Sequence, residues 1–159
     1  VLAVVGSDAK AAFVRERGAE VVINRNSQDI VAAVNEATDG QGVDAVYDAV
    51  GAATIEQSLR ATRDGGTCIL YGGGSGPVAD LPESLTQRLQ FKRTSLATHL
   101  ADEHAFRSRM GDLFEWYRSG QVVPHIAETW PLDQAAEALK TIATGDTVGK
   151  LLIRVRPEG

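Results

Sequence analysis

Features that mark several classes of protein are scarce in this chain. Cys68 is the single cysteine among the 159 residues, which excludes an internal disulfide and a zinc site built from several cysteines. No apolar run approaches the roughly 20 residues that cross a membrane, and no charged-then-apolar leader is visible. We therefore predict a cytoplasmic protein.

Several catalytic motifs are missing as well. No Gly-x-Gly-x-x-Gly follows a strand, so the pyrophosphate loop of a dinucleotide fold is not in this chain, and no P-loop is present. There is no Gly-x-Ser-x-Gly nucleophile elbow, and none of the three tyrosines has a lysine four residues later. Because His99, His104 and His125 lack the spacing of a zinc-binding helix, the sequence predicts no metal site.

The composition is that of an ordinary globular domain. Hydrophobic residues make up 43% and charged residues 23% of the chain, and the length suits one domain over residues 1–159. The formal net charge of −5 argues against nucleic acid as a partner.

Strand and helix patterns alternate through the first half of the chain. Strands are predicted at residues 1–5, 21–23, 43–50 and 67–71, and helices at 8–17, 28–38 and 54–64. The unbroken apolar run at 1–5 favours a strand buried on both faces. Short links between alternating elements predict an α/β fold with a doubly wound parallel sheet.

The alternation loosens in the second half. The patterns there predict a short helix within 81–89, an edge strand at 94–100, a helix at 102–119, an extended segment at 122–129, a helix after Pro131 and a strand at 148–155. Ser27 and Asp133 are predicted to cap the helices that follow them.

Polar and cationic residues follow the first two strands. Ser7 supplies a hydroxyl, Lys10 reaches back one helical turn, and Arg25 follows the second strand. At the carboxyl ends of parallel strands these groups suit a phosphate or a ribose. The alternative is an ordinary turn with a solvated Lys and Arg, and the first stretch alone favours that alternative.

Small residues follow the next two strands. Gly72–Gly76 comes directly after one apolar strand, and Val50-Gly51 closes another. Glycines at such ends let a planar ligand or a phosphate lie against the backbone, and two such ends in one sheet favour a ligand cleft. A flexible loop explains the glycine cluster equally well.

Taken together, the chain resembles the zinc-independent, zeta-crystallin-like quinone oxidoreductases of the medium-chain dehydrogenase/reductase superfamily. The stretches that match in order and spacing are residues 6–10, 18–24, 42–51, 71–77, 113–120 and 149–153. The resemblance implies an NADPH-dependent reductase of small quinones or activated enones, acting as a homodimer that pairs through the 94–100 edge strand.

The resemblance also implies roles for particular residues. Ser7 and Lys10 would hold the 2′-phosphate of NADPH, with Arg25 where the family often has a Tyr. Val50 and Gly51 would flank the ribose and pyrophosphate. The residues that would lie by the nicotinamide are Tyr71, Gly72, Gly73 and Gly74, with an approach from the strand around Ala97 and Thr98.

The chain departs from the family at its start. A full member has a barrel-like domain and then a strand, a glycine-rich loop and a helix before the position of Val1. The missing strand would leave a gap between strands 1–5 and 43–50. We therefore expect a partial Rossmann-like NAD(P)-binding domain that is inactive alone. One alternative is a non-catalytic remnant that keeps the fold and the dimer surface. The other is a methyltransferase, which ranks last because an acidic residue in place of Ser7 and Lys10 would have favoured it.

Overall fold

The computed structural model describes residues 1–100 and 102–156, which fall into two compact units within Val1–Ala105 and Phe106–Gly159. The strands are β1 (Leu2–Val5), β2 (Val21–Asn24), β3 (Val43–Asp48), β4 (Thr62–Leu70), β5 (Gln90–Arg93), β6 (Ile126–Pro131) and β7 (Lys150–Arg154). The helices are α1 (Asp8–Arg15), α2 (Ile30–Ala37), α3 (Ile55–Ala61), α4 (Glu83–Thr86), α5 (Leu96–His99), α6 (Glu103–Arg118) and α7 (Ala135–Ala143), with a 3₁₀ turn at Leu132–Gln134.

The first unit confirms the predicted α/β fold with parallel strands. β1 pairs with β2, and β3, β4 and β5 form a second sheet in that order, all parallel. Within the described ranges no ladder joins β1 to β3, which is where the resemblance placed a gap. Both strands also keep exposed side chains: Val4 is 45% exposed and Tyr47 69%. The prediction that residues 1–5 are buried on both faces is therefore wrong.

Helix α3 packs into both parts of the core. Its last residue, Ala61, joins a cluster that also holds Ile23, Ile30 and Val34 from β2 and α2. Its preceding turns place Ile55 and Leu59 against the buried face of β4. Each fully buried side chain of this size contributes about 1.5–3 kcal/mol, so α3 is held by tertiary packing rather than by its own short helix.

The predicted strand at 94–100 is wrong. The strand lies earlier, at β5, because Phe91 pairs with Cys68 and packs against the second cluster. The pairing ends where Arg93 meets Leu70, since β4 itself ends there. The chain then turns at Ser95 and forms the four-residue helix α5.

Two predicted caps are also wrong. Helix α2 begins after Asp29, whose carboxylate accepts a 2.7 Å hydrogen bond from the Ala32 amide, so Ser27 lies outside the helix. Asp133 lies inside the 3₁₀ turn that precedes α7 and does not cap the helix.

Strand β4 begins earlier than predicted, at Thr62, and passes through Gly65-Gly66. Its register with β3 shifts between Val43 and Ala45.

The second unit contains the parallel pair β6–β7 together with α7 and all but the first three residues of α6. The predicted helix at 102–119 is confirmed as α6, and the Asp102 carboxylate accepts a 2.8 Å hydrogen bond from the Ala105 amide. Among the described residues no helix is long and apolar enough to span a bilayer.

Candidate functional site

The turns that follow β3 and β4 touch each other through glycines. Gly51 has a φ of 91°, which disfavours any other residue, and a Cβ there would lie 3.0 Å from the Cα of Gly73. A Cβ on Gly72 would collide with the carbonyl oxygen of Ala49. The predicted group of Val50, Gly51, Gly72 and Gly73 is therefore brought together, in a contact that has no room for side chains.

An open cleft of about 560 Å³ lies beside these turns. Tyr71, Gly72 and Gly73 line one side, where the half-exposed Tyr71 ring is available to a planar ligand. Arg93, Thr94 and Ser95 line it from the end of β5. The cleft thus joins an aromatic ring, bare backbone and polar groups, a combination that suits small-molecule binding.

A buried carboxylate holds the Val50-Gly51 turn. Asp48, 4% exposed, accepts hydrogen bonds from the amides of Val50 and Gly51 at 2.8 and 2.9 Å. The hydroxyls of Thr54 and Ser58 donate to it at 2.8 and 2.7 Å. Because every one of these donors is within ten residues of Asp48, the strand end, the turn and the start of α3 form one rigid unit.

The ends of β1 and β2 meet in a second cluster of predicted residues. The Arg25 guanidinium lies over Gly6, with Nη2 3.6 Å from the position of a Cβ there. Asn26 donates a 2.7 Å hydrogen bond to the Gly6 carbonyl and so ties the two strand ends together. Arg25 and Ser7 are thereby held beside one another.

Ser7 also begins α1. Its hydroxyl oxygen accepts a hydrogen bond of 3.3 Å from the Lys10 amide, which makes it the N-cap. Ser7 and the Arg25 guanidinium thus lie near a helix N-terminus, where the helix dipole favours an anion, and Lys10 belongs to the first turn of that helix. The Asp8 carboxylate lies at the same terminus, and Asn24 donates to it at 2.8 Å.

Not every predicted residue belongs to these clusters. Gly74 lies in the loop, and a Cβ there would meet nothing within 4 Å. Ala97 and Thr98 lie in the exposed helix α5, outside the cleft wall that Arg93, Thr94 and Ser95 form.

Sequence reasoning missed the residues that support the site. These are Asp48, Thr54, Ser58, Ser75 and Arg93. An Asp at a strand end that is followed by a glycine turn, as Asp48 is by Gly51, is a common sign of side-chain-to-backbone hydrogen bonding. That spacing was the available signal.

The comparisons with known proteins decide the family. A family model described as zinc-binding dehydrogenase matches residues 17–153. The chain belongs to this family. A 2-haloacrylate reductase of a Burkholderia species is 34% identical over 96% of the chain, and a probable quinone oxidoreductase of Schizosaccharomyces pombe is 33% identical over 96%. The Escherichia coli quinone oxidoreductase, solved in complex with NADPH, matches with a TM-score of 0.88 and 30% identity over 96% of the chain.

The predicted resemblance to quinone oxidoreductases and the Rossmann-like cofactor-domain fold are confirmed by these matches. The chain spans about half of each relative: 47% of the reductase, 46% of the yeast protein and 48% of the Escherichia coli chain.

The name of this zinc-binding dehydrogenase family raises the question of a metal. No group of three or more His, Cys, Asp or Glu side chains within residues 1–100 and 102–156 is arranged to hold a metal ion. Asp48, the buried carboxylate, already accepts hydrogen bonds from four donors, and Cys68 is buried within β4. The described residues therefore do not fit a zinc ion.

Proposed function

We propose that this chain is the cofactor-binding part of a zinc-independent, NADPH-dependent oxidoreductase that reduces a quinone or an activated enone. The observation that carries the proposal is the glycine contact between the turns after β3 and β4, beside an open cleft. Side chains are excluded there by the packing itself, so the backbone is left bare for a ligand to approach. The relatives named quinone oxidoreductase and 2-haloacrylate reductase support the reaction class.

The cleft is the proposed place of the nicotinamide. Tyr71 offers a ring face, and Gly72 and Gly73 offer backbone against which a flat ring can lie. NADPH supplies the hydride that the acceptor receives. Val50 and Gly51 lie behind this wall, where they would flank the ribose and the pyrophosphate.

The cluster at the ends of β1 and β2 is the proposed site of the 2′-phosphate. Ser7 can donate its hydroxyl proton while its oxygen caps α1, and Lys10 and Arg25 supply positive charge. A guanidinium can bind two phosphate oxygens at once, which a Tyr cannot do. These groups would distinguish NADPH from NADH.

This chain matches only about half the length of each relative, so its similarity to them does not extend to the activity of a whole protein. The reduction step, the acceptor pocket, the cytoplasmic location and the homodimer stay predictions for the whole protein. The predicted dimer strand at 94–100 does not exist, so the candidate edge is β5, the last strand of its sheet.

An NADPH titration of the purified chain, followed by calorimetry with NADH alongside, tests the proposal. We expect saturable binding with a clear preference for NADPH. A folded chain that binds neither nucleotide would contradict the proposal and favour the non-catalytic remnant. Binding of S-adenosylmethionine instead would favour the methyltransferase alternative.

A further inference from the structure

We infer that Ser75 is a positioning residue whose side chain locks the two glycine turns together and so shapes the wall of the cofactor cleft. The inference rests on the proposed function, since it concerns how that same cleft is kept ready for NADPH. Ser75 lies in the loop after β4, outside the set of residues predicted to contact the cofactor.

The hydroxyl of Ser75 bridges two groups of the opposite turn. It donates a 2.7 Å hydrogen bond to the Val50 carbonyl, 25 residues away, and accepts one of 2.9 Å from the Ala53 amide, 22 residues away. The Ser75 amide donates to the same Val50 carbonyl at 2.9 Å. Three hydrogen bonds therefore run from this one residue to the turn that follows β3.

These bonds do not serve to close the loop that contains Ser75. That loop is closed by its own backbone, since the Gly76 amide donates a 3.0 Å hydrogen bond to the Gly73 carbonyl. The side chain of Ser75 is thus committed to the neighbouring turn, and a role in local loop formation does not account for it.

The glycine contact needs such a link because it contains no side chains. Gly51 meets Gly72 and Gly73 through backbone atoms, and Val78 is the one side chain among the nearest neighbours of a Cβ placed at Gly51, so packing between side chains contributes little to this contact. Glycine turns also lose more conformational entropy on ordering than other turns. Asp48 anchors the first turn to α3, and its carbonyl accepts a 2.9 Å hydrogen bond from the Tyr71 amide. Ser75 supplies the link at the other end of the contact.

Removing the hydroxyl should therefore loosen the wall without harming the core. Ser75 is exposed, and the amide of Ala53 can find water in place of the lost oxygen. The wall would have to be ordered again when NADPH binds, which weakens binding without changing any group that touches the nucleotide. For two lost hydrogen bonds we expect the dissociation constant to rise about tenfold.

The experiment compares Ser75→Ala with Ser75→Thr, which keeps the hydroxyl. Ser119→Ala is the control, because its exposed hydroxyl donates a local hydrogen bond of 3.1 Å to the Trp116 carbonyl, just after the end of α6. Two quantities are measured on the 159-residue chain: the NADPH dissociation constant by calorimetry, and amide hydrogen exchange at Ala53 without nucleotide.

We expect Ser75→Ala to bind NADPH about tenfold more weakly and to exchange the Ala53 amide faster, at an unchanged melting temperature. Ser75→Thr should restore both quantities, and Ser119→Ala should alter neither. Wild-type affinity in Ser75→Ala, or equal loss in the Thr variant, would overturn the inference. If the wild-type chain binds no NADPH, the proposed function fails, and unchanged Ala53 exchange in Ser75→Ala would then separately refute the link between the turns.

Discussion

The carboxylate of Asp48 accepts a 2.7 Å hydrogen bond from the hydroxyl of Ser58, ten residues further along and in the next helix. Both residues are buried, with Asp48 4% and Ser58 9% exposed. This bond joins the end of β3 to α3 from inside the fold. The turn that carries Gly51 is suspended between these two elements, so its shape depends on a group that never reaches the cleft.

Asp48→Ala should destabilise the chain by about 3 kcal/mol, because it leaves two amides and two hydroxyls without their buried acceptor. Asp48→Asn should cost less, since one oxygen remains for the amides of Val50 and Gly51. Urea unfolding measures both. Asp44→Asn, on the same strand but with its side chain 85% exposed, is the matched control. An equal loss in the Asp44 variant would show that burial of Asp48 is not the cause.

Gly72→Ala should disrupt the site, whereas Gly74→Ala should be nearly silent. A Cβ on Gly72 collides with the Ala49 carbonyl, and the backbone of one turn has to move. Overpacking of this kind costs about 2–3 kcal/mol. A Cβ on Gly74 meets nothing within 4 Å. Thermal unfolding and NADPH titration of the two variants provide the check, and similar behaviour of both would contradict the glycine contact.

Lys10→Ala combined with Arg25→Ala should weaken NADPH binding by about 3 kcal/mol, roughly 100-fold, while NADH binding changes little. The reason is that both cations are proposed to bind the 2′-phosphate, which NADH lacks. Calorimetric titration with each nucleotide gives the ratio. Lys140→Ala combined with Arg60→Ala, which removes an exposed lysine and an exposed arginine that are each paired with a glutamate, controls for the same change in net charge. Equal losses for NADPH and NADH would rule out the 2′-phosphate assignment.

The buried thiol of Cys68 should make stability fall at alkaline pH. Burial, and secondly the Asp48 carboxylate, raise the pKa of Cys68 from 9.0 to about 11, although a hydrogen bond with Thr62 opposes the shift. The unfolded thiol ionises first, so the stabilisation is complete below pH 9 and is lost between about pH 9 and 11. The loss is on the order of 2–3 kcal/mol.

Urea unfolding from pH 8 to 11 measures this loss, with Cys68→Ala as the reference. The variant leaves a small cavity that lowers its stability below pH 9, but it lacks the thiol. The difference in unfolding free energy between wild type and variant should therefore shrink as the pH rises. A difference that stays constant up to pH 11 would contradict the raised pKa.

Most of the fold could be predicted because its signals are local. The apolar runs and glycine stops at 1–5, 21–23 and 43–50 correspond to β1, β2 and β3, and the helix predicted at 102–119 corresponds to α6. The failure at 94–100 has a non-local cause. The limits of β5 depend on which residues of β4 its backbone can pair with, from Thr67 to Leu70. Residues 94–100 alone contain no information about where β4 ends.

The candidate site was predictable only in its ligand-facing half. Glycines and cations at strand ends are visible as residue types, so Gly51, Gly72, Lys10 and Arg25 could be named, although their roles stay predictions. The role of Asp48 could not be predicted, because it depends on four hydrogen-bond donors that come together around its carboxylate only in the folded structure.

The sequence by itself determined the alternation of strands and helices, the parallel α/β class and the glycine positions at the strand ends. Those properties follow from periodicity and from the backbone freedom of glycine, both of which act within a few residues. Only the tertiary structure decided that Gly51 meets Gly72 and that Ser75 bonds to Val50 across 25 residues. Such pairs depend on the register between β3 and β4, which arises between segments that are about 20 residues apart in the sequence and so cannot be read from either segment alone.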